Sequence, residues 1–147
     1  MYKRILIPTD GSPLARKAVN AGVALAKALG ASVVGYTAVE PVERVHYSEG
    51  SAIRPGTAKA IEKQLRESGL QYVEQIRTAA AAAGVASEVL LTSVADPFQG
   101  IIDAARKQKC DLICMASHGR GNLASVLLGN VTQKVLTHSK TPVLVCR

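Results

Sequence analysis

Apolar residues along this chain follow two alternating rhythms. Short continuous β-rich runs take turns with longer stretches in which apolar residues recur every three or four positions, the spacings of a buried strand and of a helix with one buried face. The first run, Lys3 to Thr9, closes at Asp10-Gly11. A helix is predicted next, with Ser12 as N-cap, Pro13 at its first position, Leu14, Ala18, Leu25 and Leu29 at helical spacing, and Gly30 as its stop. A second strand spans Ser32 to about Val39. A long helix runs from Thr57 to Ala83 on a stripe of Ile61, Leu65, Tyr72, Val73 and Ile76, with Gly84 as stop. Gly69 interrupts that stripe and marks either close packing or a break. Ser87 to Thr92 reads as the third strand. Asp96 then caps a helix starting at Pro97 with Phe98, Ile101, Ile102 and Ala105 on its inner face. Asp111 to Ala116, Val131 to His138 and Pro142 to Cys146 complete the series as strand, helix and strand.

Strands that alternate with helices imply a three-layer α/β domain, because parallel neighbours need a crossover and right-handed crossovers place helices on both faces of the sheet. Such sheets take ligands beyond the carboxyl ends of strands where the winding reverses. The places to look are therefore after Thr9, Val39 and Ala116. Between Glu40 and Gly56 the periodicity gives way to a stretch with two prolines and two glycines, long for a connector and read as either mobile or a flap over a ligand.

At 147 residues, nearly half of them apolar, the chain suits one domain over residues 1–147 with a core that needs no disulfide or metal. The apolar run behind Lys3-Arg4 stops at Pro8 and Asp10, too short for a signal-peptide core or a membrane span, so a cytoplasmic location is expected. Cys110, Cys114 and Cys146 lie in apolar stretches without zinc or Cys-x-x-Cys spacing and read as small buried hydrophobes. The net charge of +7 favours an anionic partner, yet the basic residues are interleaved with acids along helical faces. With one Phe, four Tyr and no Trp, base stacking has little support. A small anionic ligand is the better expectation, with neither nucleic acid nor membrane as partner.

The most informative segment is Ser117-His118-Gly119-Arg120-Gly121-Asn122, followed after Leu128 by Gly129-Asn130-Val131-Thr132 at the start of a helix. Glycines let backbone N–H groups approach a ligand, and a helix N-terminus adds unpaired donors and a dipole suited to phosphate. Asn130 and Thr132 can add side-chain donors, His118 and Arg120 positive charge. Taken singly, Gly119 and Gly121 are turn residues and Asn130 a helix cap. Their conjunction after a strand favours a phosphate loop. It is not a Walker loop, which would need Gly-Lys followed by Ser or Thr. In Pro8-Thr9-Asp10-Gly11-Ser12, Gly11 and Ser12 are explained by a turn and a cap, whereas Asp10 remains available to accept from a ribose or adenine group. His46 falls in the variable stretch, and His138 can complement the carbonyls at a helix end. No His, Cys or carboxylate cluster has metal-ligand spacing, and Ser12 has no nucleophile-elbow context.

The opening Lys3-Arg4-Ile5-Leu6-Ile7-Pro8-Thr9-Asp10-Gly11-Ser12, the block Asp111 to Gly121 and the close Thr141-Pro142-Val143-Leu144-Val145 resemble the universal stress protein family from end to end. The resemblance implies a Rossmann-like fold, related to adenine nucleotide alpha hydrolases, with five parallel strands in the order 3-2-1-4-5. It would set Asp10 beside Gly119. The family's nucleotide binders resemble Gly-x-x-Gly-x9-Gly followed by Ser or Thr, and here Ala116, Gly119, Gly129 and Asn130 stand at those positions. Ala116 and Asn130 depart from that pattern, as does Ala95, where many relatives have glycine. What the resemblance implies is a site for ATP, ADP or AMP, with Mg²⁺ held through the phosphates. Pro8, Thr9 and Asp10 would line the base and ribose side with Ala38 at the adenine, Gly119, Gly129, Asn130, Val131 and Thr132 would line the phosphates, and Met115, Ala116, His118 and Arg120 would complete the site. It also implies a homodimer through Thr141 to Cys146, which stands as the alternative role if nucleotide binding has been lost. An adenylate-forming or ATP-pyrophosphatase enzyme would want Ser-Gly-Gly-x-Asp-Ser or His-x-Gly-His after the first strand, and Thr9-Asp10-Gly11-Ser12 is neither.

Overall fold

The computed structural model of the chain describes residues 1–43, 54–119 and 128–147. In order these form β1 (Arg4–Pro8), α1 (Pro13–Leu29), β2 (Ser32–Val39), α2 (Pro55–Ala83), β3 (Ser87–Ser93), α3 (Pro97–Lys107), β4 (Leu112–Ala116), α4 (Asn130–His138) and β5 (Val143–Cys146). The strands make one parallel sheet in the order β3-β2-β1-β4-β5. The winding goes outward from β1 to β3 and then jumps back across β1 to β4, so the reversal lies between β1 and β4. Of the stretch from Glu40 to Gly56 read as mobile or a flap, residues 44–53 lie outside the described residues.

The central strand divides the core by strict alternation. Ile5 and Ile7 join Val19, Val23, Ala26, Ile76 and Ala80 on the α1–α2 face. Leu6 joins Val34, Tyr36, Ile101, Ala104, Ile113 and Val135 on the α3–α4 face.

Helix α1 starts and ends as predicted: Ser12 Oγ accepts the Ala15 N–H at 3.2 Å, and Gly30 closes the helix with φ +65°. Its buried face, however, consists of Ala15, Ala18, Val19, Gly22, Val23 and Ala26. Leu14, Leu25 and Leu29 are only half-buried. The physical reason is close approach to the sheet. A Cβ on Gly22 would fall 2.6 Å from Ile7 Cδ1 and 3.2 Å from Cys114 Sγ, so small residues face the sheet and the leucines cover the flanks.

Helix α2 continues unbroken through Gly69, which packs on Leu91, Val39 and Thr37 at the carboxyl ends of β3 and β2. The turns before Gly69 therefore rise beyond the sheet edge, and Ile61 and Leu65 stay half-buried while Val73, Ile76 and Ala80 are buried. Asp96 occupies the N-cap position of α3, but its side chain makes no capping hydrogen bond.

Cys110 and Cys114 are buried and Cys146 half-buried, all as free thiols. Tertiary folding brings Cys114 Sγ and Cys146 Sγ to 3.7 Å, a closeness that 32 residues of separation conceal in the sequence. Burial pushes the Cys110 thiol up to about 11, against the pull of Arg4, and the Cys114 thiol up to about 12, with Cys146 adding to the rise. Thiols held that high pack as small hydrophobes. No described helix is long and apolar enough to cross a membrane.

Candidate functional site

The carboxyl ends of β1, β2 and β4 open into a cleft of about 860 Å³. Its floor is set by the turn after β1, which is tied within itself. Thr9 Oγ1 accepts the Gly11 N–H at 3.1 Å and Asp10 Oδ1 accepts the Ser12 N–H at 2.9 Å. The Thr9 carbonyl accepts the Thr37 hydroxyl at 2.7 Å, which fastens the turn to β2. Gly11 takes φ +77° under the Tyr72 ring, where a side chain would meet both backbone strain and the ring itself.

Across the reversal, the end of β4 is joined to its neighbours through Ser117. Its N–H donates to the Cys146 carbonyl at 2.8 Å, and its carbonyl accepts the Gly129 N–H at 2.7 Å. Ser117 Oγ and His118 Nδ1 lie 2.9 Å apart. Gly119 runs beside Asp10 so closely that a Cβ there would stand 2.6 Å from Asp10 Oδ2. Helix α4 starts at this point with Gly129 as N-cap and no side-chain capping bond. Its first amides, those of Asn130, Val131 and Thr132, have no intrahelical acceptor and meet none among the described residues.

The structure brings Pro8, Thr9, Asp10, Ala38, Met115, Ala116, His118, Gly119, Gly129, Asn130, Val131 and Thr132 to the lining of this one cleft. Arg120 and His46 lie outside the described residues, as do residues 121–127. Two of the expected donors are committed elsewhere. The Thr132 hydroxyl, buried, donates to the Ala116 carbonyl at 2.9 Å, so it locks α4 onto β4. The Gly129 N–H closes the loop onto Ser117 and is likewise unavailable to a ligand. What remains for an anion is the amide cluster of Asn130 to Thr132, the Asn130 side chain and the dipole of α4.

The remaining walls went unnoticed in the sequence. Tyr36, Thr37 and Val39 from β2, Leu65, Ser68 and Tyr72 from α2, and Pro97 and Ile101 from α3 all line the cleft. Leu65, Tyr72 and Ile101 had shown themselves only as members of helical stripes, because a stripe identifies a buried face without saying where it ends. Together with Pro8, Ala38 and Met115 these residues give one side of the cleft an apolar surface. Asp10 and Glu40 are the carboxylates of the described lining. His138 Nδ1 lies 2.8 Å from the Lys134 carbonyl, the helix-end role expected of it.

The whole chain, residues 1–147, matches the family model described as the universal stress protein family. A universal stress protein of Thermus aquaticus is 34% identical over 148 positions, with 100% of each protein covered. One of Methanocaldococcus jannaschii is 31% identical, covering 100% of this chain and 83% of the relative. The solved structure of hypothetical protein MJ0577 matches with TM-score 0.79 at 28% identity, over 99% of this chain and 96% of that one. Two further structures share the fold. A universal stress protein in complex with cAMP matches at TM-score 0.68 and 24% identity over 99% and 97% of the two chains. That of Archaeoglobus fulgidus in complex with dAMP matches at 0.71 and 15% over 99% and 98%. The chain belongs to the universal stress protein family.

Proposed function

We propose that the cleft binds an adenine nucleotide, ATP, ADP or AMP, and that the protein is a small cytoplasmic regulatory module signalling through conformation or association. The observation that carries this reading is the conjunction of an apolar wall with the open N-terminus of α4 in one cleft. Pro8, Ala38, Ile101 and Met115 offer the surface a purine ring would cover. Asp10 keeps Oδ2 at the mouth as an acceptor for ribose hydroxyls, while Oδ1 holds the turn. The amides of Asn130, Val131 and Thr132 would donate to phosphate, with Mg²⁺ reaching the site through the phosphate oxygens. The cAMP and dAMP complexes of proteins sharing this fold support an adenine nucleotide as the ligand class. Hydrolysis, in this reading, is slow at most. Isothermal titration with ATP, ADP and AMP is expected to give saturable heat, and mass spectrometry of the denatured protein to release a nucleotide. Absence of both heat and thermal shift at millimolar nucleotide would discard the reading.

One observation favours a second role, a homodimer that works without nucleotide. β5 is an edge of the sheet, and its Leu144 is 41% exposed, so a paired copy would cover both the strand edge and the leucine. Sedimentation should then show a dimer that Leu144→Glu dissociates. Under this reading Ala116→Gly creates nucleotide binding where the native chain has none.

A further inference from the structure

Three of the helices close in the same way at the amino edge of the sheet, the edge opposite the cleft. The Ala31 N–H donates to the Ala26 carbonyl, that of Val85 to Ala80 and that of Cys110 to Ala105, each at 2.8 Å, and the residue before each donor stands in the left-handed conformation. After α1 and α2 that residue is a glycine, Gly30 with φ +65° and Gly84 with φ +72°. After α3 it is Lys109 with φ +54°, the one non-glycine residue of positive φ among the described residues. A Cβ in that conformation crowds the following carbonyl, so glycine fits there and lysine is strained. Strain kept where a glycine would relieve it points to a use for the side chain.

Lys109 does not stand alone. Lys3 precedes β1, Lys27 lies in the last turn of α1, Lys107 ends α3 and Lys140 precedes β5, so parallel strands and returning helices bring all five lysines to this edge. All are exposed, and none has an ion-pair partner among the described residues. The nearby carboxylates are committed: Glu88 pairs with Arg4 at 2.9 Å, Asp111 accepts the N–H groups of Lys3 and Arg4, and Asp103 pairs with Arg106. On the outer face of α2, by contrast, Lys63 and Arg77 are matched by Glu67 and Glu74. Much of the surplus charge of +7 is therefore concentrated at this edge. Lys27 and Lys107 also complement the dipoles of the helices they end, which accounts for them. Lys3, Lys109 and Lys140 lie outside any helix, ahead of the neighbouring strands β1, β4 and β5, in a row roughly 10 Å long at the usual strand spacing.

We propose that this edge docks an acidic segment of a partner protein, whose carboxylates are taken by the row of Lys3, Lys109 and Lys140. The helix ends choose among anions. All four helices finish here, and the last carbonyls of a helix want donors. The phosphate backbone of duplex DNA brings acceptors alone, whereas an acidic peptide brings carboxylates to the lysines and its own N–H groups to those carbonyls. The proposal stands independently of what the cleft holds.

Fluorescence anisotropy of a short labelled peptide of alternating glutamate and serine, titrated with the full chain, tests it. Saturable binding that weakens as salt is raised is expected, and no binding at low salt overturns the proposal. Lys109→Gly should raise the melting temperature by about 2 °C as the strain is relieved, and weaken the peptide about threefold. An unchanged or lowered melting temperature, or an unchanged affinity, overturns the role of Lys109, since the lysine would then serve the fold. Lys59→Ala removes an exposed charge from the first turns of α2, near the other edge, and should leave peptide binding unaltered. A loss equal to that of Lys109→Gly would mean attraction to net charge alone and overturns the docking surface. Tighter binding of a duplex DNA fragment or of phosphatidylserine vesicles than of the peptide, at matched salt, would overturn the assignment of a protein partner.

Discussion

Of the helices that begin at the edge of the sheet bearing the cleft, α1 after β1 and α4 after β4 have N-termini built in opposite ways. At α1, Ser12 Oγ caps the Ala15 amide, Pro13 has no N–H to offer, and Asp10 and Thr9 take the amides of Ser12 and Gly11. That end is nearly closed, with Leu14 holding the one first-turn amide that meets no acceptor among the described residues. At α4, Gly129 brings no side chain to the cap, its own N–H turns back to Ser117, and the next three amides meet no acceptor among the described residues. Both helices carry the same kind of dipole, so a helix N-terminus alone does not make an anion site. What distinguishes them is whether local side chains have already satisfied the first turn.

The contrast is open to breaking at several points. The largest effect is expected where the closed turn is forced: Gly11→Ala places a Cβ at φ +77° against Tyr72, and should cost roughly 2–4 kcal/mol in urea unfolding. Converting the open end into a partial copy of the closed one comes next. Asn130→Pro deletes one amide at a first-turn position that proline favours, and Gly129 before it already has the extended geometry proline requires, with φ −69° and ψ 154°. Its AMP affinity should fall about tenfold with little change in melting temperature, whereas Asn130→Ala, which keeps the amide, should lose less. Opening the closed end has the reverse signature: Ser12→Ala should cost about 1 kcal/mol of stability, seen by denaturation, and leave nucleotide affinity alone.

The smallest effect concerns the far edge of the sheet and serves as a control. Burial of Asp111 works against its charge, but the backbone N–H groups of Arg4 and Lys3, donating at 3.0 and 2.8 Å, outweigh it and hold the carboxyl below its ordinary value. A carboxyl lowered by folding stabilises the protein above its unfolded pKa, about 3.9, and loses that contribution as the pH falls through the lower folded value. Asp111→Asn, at a carboxyl that solvent largely screens, should therefore cost roughly 0.5 kcal/mol near neutral pH, flatten stability against pH below about 4, and leave the cleft untouched.

Much of this architecture was legible in the chain itself. Ser12, Pro13 and Gly30 delimit α1 as their chemistry requires, and the strand runs at Lys3, Ser32, Ser87, Asp111 and Pro142 each fall in the sheet. The leucines dominate the apolar pattern of α1, yet its buried face is decided by how near the helix lies to Ile7 and Cys114. The strand-end segments containing Asp10 and Gly119 pointed to one site. The α2 wall of Leu65, Ser68 and Tyr72 did not, because nothing local tells that a helix rises past the edge of the sheet it covers.

By itself the sequence determined the elements, their caps and turns, and, through resemblance, the strand order and the two loops where a ligand would be sought. Those are local choices, or choices carried by motifs. The tertiary structure decided which donors in those loops are free. Thr132 and Gly129 look like ligand donors until the fold brings the Ala116 and Ser117 carbonyls against them. A hydrogen-bonding group is available only when nothing within reach has already claimed it, and what lies within reach is a property of the folded chain.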